Sequence, residues 1–467
     1  MSLRRADLRF ALPRNPRRAV VLGGLEEWEH GLRQGGVEVG SGGAPPDLAV
    51  APAALAHVAL ATAAPMIVLE GTRRSRALAG TGYGQQTLLA LPDHLRPELL
   101  LPLGQRNAIR YAVDRWRPGA TAIELGRNLL GRELLARRIA PPGRTPTTVA
   151  ALQPAAPFLV TAAAELIGAA RLSWFAAFGR WTHPETRGAL FLFDPAATTP
   201  GWVVKFSRIP GLEHLFDADE AGLALAAEAG GVVAAAAPRL LGRVDRDELC
   251  ASVETAAQGE RLAALLGSRT SRAGKLAIIE RFAAWIVAVA RETAAPPETL
   301  RAELDRLREV APEIVGTLPP VGAVYQHGDL WADNVFVRGD GFDVVDWESA
   351  RRHGSPLWDA LYFLTDALAL VDGAHSDAER VEHFVRLHRG ELESSAPFFK
   401  ALRATAEATA VPDGAVGPLA TLLWLSYALL DEAHVKRVEG TTVPLTRRLS
   451  ERWLADPQLG PGWSAWR

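Results

Sequence analysis

The sequence predicts an α+β chain in which a small α/β unit precedes two further lobes, one rich in strands and one mostly helical. Three observations lead there. Short β-rich runs alternate with Ala- and Leu-rich helical stretches up to about residue 135, strand-like runs follow one another from about 175 to 253, and the remainder reads as helix broken by one polar loop. At 467 residues the chain is too long for one ordinary core. The expected divisions are an α/β unit at 1–136, a linker at 137–158, a strand-rich lobe at 159–255 and a helical lobe at 256–467.

Composition narrows the function classes. Hydrophobic residues make up 48% and charged residues 22%, the balance of a globular chain and not of a disordered one. A net charge of −2 favours neither nucleic acid nor an anionic membrane surface. The single cysteine, Cys250, cannot form an internal disulfide, and the basic N-terminal stretch has no apolar core long enough for a secretory signal, so a cytoplasmic protein is expected. The apolar stretch Pro418–Leu430 is too short to span a bilayer, and no membrane span is expected.

In the first unit, "RRAVVLGG" (17–24), "PDLAVA" (46–51) and "PMIVLEG" (65–71) are strand-like runs spaced as in a parallel sheet. With Gly23 and Gly24 after the first run, the unit faintly resembles a truncated methyltransferase-type Rossmann domain. The pair continues as "LEEWEH" without further spaced glycines, so a plain turn is favoured over a cofactor site. The unit is expected to supply no catalytic residue, and a chain starting near Ala150 is expected to keep activity. "RRIAPPGRTPTT" (137–148), with three prolines and a glycine, marks the linker. "FAAFGRWTHPETRGALFLFD" (175–194) then reads as strand, loop and strand, "GWVVKFSR" (201–208) as the next strand, and "DADEAGLALAAEAG" (217–230) as a helix with an acidic start.

The stretch that carries chemistry is "VYQHGDLWADNVFV" (324–337). Polar residues gather there on a short loop between strand-like pieces, where side chains can be aimed at a substrate. Asp329 and Asn334 lie five positions apart, and Asp346 ends the next strand, "GFDVVDW". Kinases of the protein-kinase-like fold use this spacing for a catalytic Asp and two metal-binding residues. Phosphoryl transfer needs a carboxylate for the acceptor's proton and hard oxygen donors for Mg²⁺. The bland reading is that these residues merely cap turns.

"HGDLWADNVFV" followed by "VVDWESARRHGSPLWDALYFL" resembles the aminoglycoside phosphotransferase and choline kinase superfamily over about residues 160–467. The resemblance implies a two-lobed protein-kinase-like phosphotransferase that uses ATP and Mg²⁺. It implies Asp329 as catalytic base, Asn334 and Asp346 as Mg²⁺ ligands, His327 as a brace of the loop and Asp359 as its buried structural partner.

Such an enzyme also needs a strand lysine for the nucleotide phosphates. Lysine is scarce here, yet the one basic residue inside "WVVKF" is Lys205. Its expected ion-pair partner is Glu220 on the following helix, with Glu213 and Glu228 as alternatives. The phosphate loop, from Ala176 to Gly188, holds only Gly179 and Gly188 and lacks a spaced glycine motif. The adenine hinge is expected at Val253, Glu254 and Thr255.

The expected function is phosphorylation of a hydroxyl group on a small, sugar-like molecule, with no nucleic acid partner. The alternatives are a pseudokinase-like nucleotide-binding or regulatory module, and a methyltransferase in the first unit that the kinase regulates. Acids and bases nearly balance from Leu361 to Arg467, which argues against a polycationic aminoglycoside as acceptor. Trp424, Tyr427, Trp453 and Trp463 are either core or a surface for a sugar ring.

Overall fold

The computed structural model describes residues 3–40, 44–71, 75–91, 97–116, 133–137, 139, 146–152, 156–178, 186–246, 248–437 and 445–466. The chain divides into two compact units, Met1–Asp217 with Leu240–Ala256, and Ala218–Arg239 with Ala257–Arg467.

The first unit is built on one mixed sheet. Strands β1 (Arg18–Val21), β2 (Glu38–Val39), β3 (Leu48–Pro52) and β4 (Met66–Glu70) pair in parallel; β1, β3 and β4 fall on the β-rich runs of the sequence, and β2 lies between two of them. Strands β5 (Gly84–Leu91), β6 (Leu99–Pro102) and β7 (Thr147–Ala151) pair antiparallel, with β7 between β4 and β5. An antiparallel series follows, made by β8 (Ser173–Ala177), β9 (Gly188–Phe193), β10 (Trp202–Phe206), β11 (Leu240–Arg246) and β12 (Leu249–Thr255). Among the described residues the order is β11-β12-β10-β9-β8-β6-β5-β7-β4-β3-β1-β2, twelve strands in one sheet.

Local sequence explains the central strands. Every residue of β4 ("MIVLE") and β7 ("TTVAA") is buried, as befits apolar or β-branched runs covered on both faces. Parallel pairing stops at β4 because β7 enters the sheet in the opposite direction. β7 lies inside residues 137–158, so the described part of the expected linker includes a central strand. Continuity across the stretch from 1–136 to 159–255 comes from the β6–β8 pair, Leu99↔Ala177 and Leu100↔Ala176. One apolar core joins Leu8 and Phe10 near the N-terminus to Val68, Leu100, Trp174, Val204 and Val253.

The second unit is mostly helical. Its long helix Arg272–Thr293 starts at Ser271, whose hydroxyl accepts from the Gly274 amide and caps the first turn. Two small sheets sit in it: β13 (Glu260–Arg261), β15 (Val335–Arg338) and β16 (Gly341–Val344) form one, and β14 (Val324–Gln326) with β17 (Arg351–Gly354) the other. Among the described residues no helix is long and apolar enough to cross a membrane.

Candidate active site

In the second unit, β14 delivers the chain into the loop that carries Asp329. Opposite it on β17, Arg351 aligns with Gln326, and the Gln326 side chain accepts from the Ser355 amide at 2.9 Å. The buried Asp359 carboxylate then takes the two backbone N–H groups that open the loop, from His327 at 2.6 Å and Gly328 at 2.9 Å. Burial pushes Asp359 up to about 6, against these bonds, which favour its charged form. Gly328 has φ +87°, and a Cβ there would lie 2.5 Å from the Ser349 carbonyl, so the turn needs glycine.

His327 braces the loop from inside. Its Nε2 lies 3.0 Å from the Val345 carbonyl, its Nδ1 accepts from the Asp329 amide at 3.3 Å, and its ring meets Trp347 edge-on. These contacts place the proton on Nε2. Further support comes from Asp366, which the sequence reading did not single out and which accepts from the Ala332 amide at 3.0 Å and pairs with Arg380, and from Tyr427, weighed above only as core or sugar surface, which donates to the Gly328 carbonyl at 2.6 Å.

Asn334 turns its amide nitrogen to Asp329, 2.9 Å from the carbonyl oxygen and 3.3 Å from Oδ2. That orientation aims the Asn334 amide oxygen away from Asp329. Burial first, then the charges of Asp346 and Glu348, together raise Asp329 to about 7 against the Asn334 hydrogen bond. Asp346 has φ 63°, a left-handed conformation that is costly for a non-glycine residue and recurs at functional sites. Next to it, the Trp347 carbonyl would lie 1.9 Å from a Cβ at Gly222, so the helix Glu213–Ala229 meets the Asp346 segment through a glycine two residues beyond Glu220.

The donor set fits a hard cation. Carboxylate and amide oxygens are the ligands Mg²⁺ takes, and the mutual repulsion of Asp329, Asp346 and Glu348 is what a bound cation would relieve. Among the described residues no group of three or more His, Cys, Asp or Glu is arranged to hold a metal, so a metal here would need the amide of Asn334 and oxygens from a ligand.

The first unit holds Lys205 and the expected hinge residues, whereas Glu220 and Glu228 belong to the second. Lys205 on β10 lies 3.3 Å from the Glu254 carboxylate on β12, an ion pair that is almost wholly buried. Sequence reading assigned Glu254 a backbone role at the hinge and missed its side chain, because cross-strand neighbours are invisible without register. Within β12, Val253 and Glu254 align with β10 on one side and β11 on the other, whereas Thr255 aligns with Trp202 on β10. Among the alternatives to Glu220, Glu228 pairs with Arg352. The core of the phosphate loop, with Gly179, lies outside the described residues. The aromatics weighed as a sugar platform are core instead: Trp424, Tyr427, Trp453 and Trp463 are all buried.

No protein-family profile matches the sequence, and no curated protein matches it. Solved structures similar to it include small-molecule kinases. A glucosamine kinase in complex with glucosamine, ADP and inorganic phosphate has 14% identity and a TM-score of 0.36, covering 66% of this chain and 84% of its own. A thermostable mutant of an aminoglycoside phosphotransferase, with ADP and hygromycin B, has 16% identity and a TM-score of 0.32, covering 62% of this chain and 96% of its own. At these values the likeness carries no argument about chemistry, which rests on the site residues.

Proposed function

We propose that the protein is an ATP- and Mg²⁺-dependent phosphotransferase acting on a hydroxyl group of a small, sugar-like molecule. The observation that carries this reading is the Asn334 amide gripping Asp329 at both carbonyl and carboxylate. A carboxylate fixed in this way can accept the acceptor hydroxyl's proton as the phosphoryl group transfers. Asn334, through its amide oxygen, and Asp346 would hold Mg²⁺, which when bound neutralises charge on the phosphates. Lys205, oriented by Glu254, would pair with the α- and β-phosphates, with Glu220 as a further partner. Thr255, at the end of β12, would offer backbone groups to adenine, since Val253 and Glu254 are flanked by strands on both sides.

Charge near the loop bears on the acceptor. Arg306 and Arg351 both bond the buried Glu303 carboxylate, at 2.7 and 3.4 Å, two guanidinium groups to one acid. The loop itself is acidic through Asp329, Asp346 and Glu348, so the case against a polycation rests on the near balance of acids and bases from Leu361 to Arg467, which suits a neutral hydroxyl compound. The deciding experiment is a mass-spectrometric screen of a metabolite pool for ATP-dependent phosphorylation. A product whose mass rises by one phosphoryl group with the wild-type protein, and not with Asp329→Asn, supports the reading. ATP-dependent products formed equally by both proteins would refute it.

A further inference from the structure

A buried charge cluster in the first unit is unused by the reading above. Asp7, Arg9 and Arg208 are all fully buried, and such charges are rare unless paired. Arg208 donates to Asp7 through both Nε, at 3.2 Å, and Nη2, at 2.5 Å, a fork-on-carboxylate pair joining residues 201 positions apart. Arg9 lies 3.8 Å from the same carboxylate and donates to the Arg208 carbonyl.

The position of this cluster gives it meaning. Arg208 is three residues beyond Lys205, just past the end of β10. Phe206, next to Lys205, meets Phe10 of the N-terminal segment at a ring-centroid distance of 4.5 Å, and Phe10 also contacts Phe178 and Phe158. Ser207 is tied to β12 by two hydrogen bonds with Cys250: its amide donates to the Cys250 carbonyl, and its hydroxyl accepts from the Cys250 amide. The N-terminal 3-10 segment Leu3–Ala11 therefore grips both the side chain of residue 206 and the charge of residue 208. One residue further back stands the lysine.

We infer that this segment is a positioning element for Lys205, with Asp7 and Phe10 fixing the end of β10 and so the register in which the lysine meets Glu254. An uncompensated charge left in the core is costly, so loss of the Asp7 carboxylate would loosen Arg208 and the strand end before it unfolds the helical unit. The consequence for nucleotide binding rests on the phosphate role proposed for Lys205; the consequence for Lys205 itself does not.

The test uses the full chain, which has Lys205, Lys275, Lys400 and Lys436 as its only lysines. Amine acetylation, read residue by residue in a mass spectrometer, compares wild type, Asp7→Asn, Arg208→Lys and the control Asp47→Asn. The control removes the partly exposed Arg14–Asp47 pair. Asp7→Asn should label Lys205 about threefold faster or more while Lys275 and Lys400 stay unchanged. Arg208→Lys, which keeps the charge but not the fork, should act in the same direction if Asp7→Asn does not fold. ADP titration should show affinity about tenfold weaker in the same variants and unchanged in the control. Unaltered Lys205 labelling in a folded variant overturns the inference. Faster labelling with no ADP binding even by wild type keeps it and instead removes the phosphate role of Lys205.

Discussion

Asn334 holds Asp329 at two points, its Nδ2 donating to the carbonyl at 2.9 Å and to the carboxylate at 3.3 Å. The five-residue spacing read in the sequence is thus the span of a closed loop, in which one amide fixes both the backbone and the side chain of the same residue. Replacing Asp329 with Asn keeps the size and removes the proton acceptor. Turnover should fall by about 10²- to 10⁴-fold while nucleotide still binds. Steady-state rates with calorimetric ADP binding check this, and a variant within a few-fold of wild type would remove Asp329 from the role of base.

The two proposed metal ligands should not be equivalent. Asp346 offers a charged carboxylate and Asn334 a neutral amide oxygen, and hard cations bind the former more strongly. Asp346→Ala should therefore weaken Mg²⁺-dependent ATP binding more than Asn334→Ala, whereas Asn334→Ala should also unsettle Asp329. ATP titrations at several Mg²⁺ concentrations separate the two effects. Equal losses would mean that the ligands share the metal differently.

How much of this was legible follows from range. Asp329, Asn334 and Asp346 lie within one short stretch, so their spacing groups them, whereas Asp359 was expected as the loop's support only because the family resemblance implied it. Lys205 stood out because lysine is scarce. Glu254 as its ion-pair partner, Asp366 beneath Ala332 and Tyr427 on Gly328 depend on register and on helix packing, which no local pattern encodes. β1, β3 and β4 were readable as apolar runs between turn signals. β7 was obscured by the prolines before it, and the joining of β6 to β8 is a contact 76 to 78 positions apart in the chain.

That joining makes the first third hard to remove. A chain starting near Ala150 would lose most of β7, the β6 partner of β8, and Phe10 from beneath Phe206. It would expose the apolar edge of β8, a recognised route to aggregation. The truncated chain is expected to be insoluble or to elute as an aggregate in size-exclusion chromatography, contrary to the expectation that residues 1–136 are dispensable. A soluble, ADP-binding truncation would reverse this.

His388 makes a pH prediction. Its ring is fully buried beside Phe384, Phe398, Trp453 and Trp463, and burial pushes its pKa down to about 3, opposed by the hydrogen bond of Nδ1 to the Phe384 carbonyl at 2.8 Å. The folded state keeps this ring neutral while the unfolded chain protonates it near the ordinary value of 6.5. Its contribution is therefore fully present above about pH 6.5 and is lost as pH falls toward 3, at up to about 1.4 kcal/mol per pH unit. Urea melts at pH 7.5 and pH 5 should show a steeper loss for wild type than for His388→Leu. Matching pH slopes would show that the ring protonates without unfolding the chain.

The acceptor is the last expectation. The balanced charge of the C-terminal residues opposes an acidic pocket of the kind a polycation needs, and Arg306 and Arg351 on Glu303 add positive charge against the acids Asp329, Asp346 and Glu348 of the loop. Burial of Trp424, Trp453 and Trp463 removes the aromatic platform as a reason to favour a sugar, so the expectation now rests on charge. Neutral sugars should be phosphorylated at higher initial rates than any aminoglycoside, and the Arg351→Gln change should narrow that difference by removing one cation. Initial rates over a panel of neutral sugars and aminoglycosides measure this directly. An aminoglycoside turned over faster than every neutral sugar would show that charges other than this pair govern recognition.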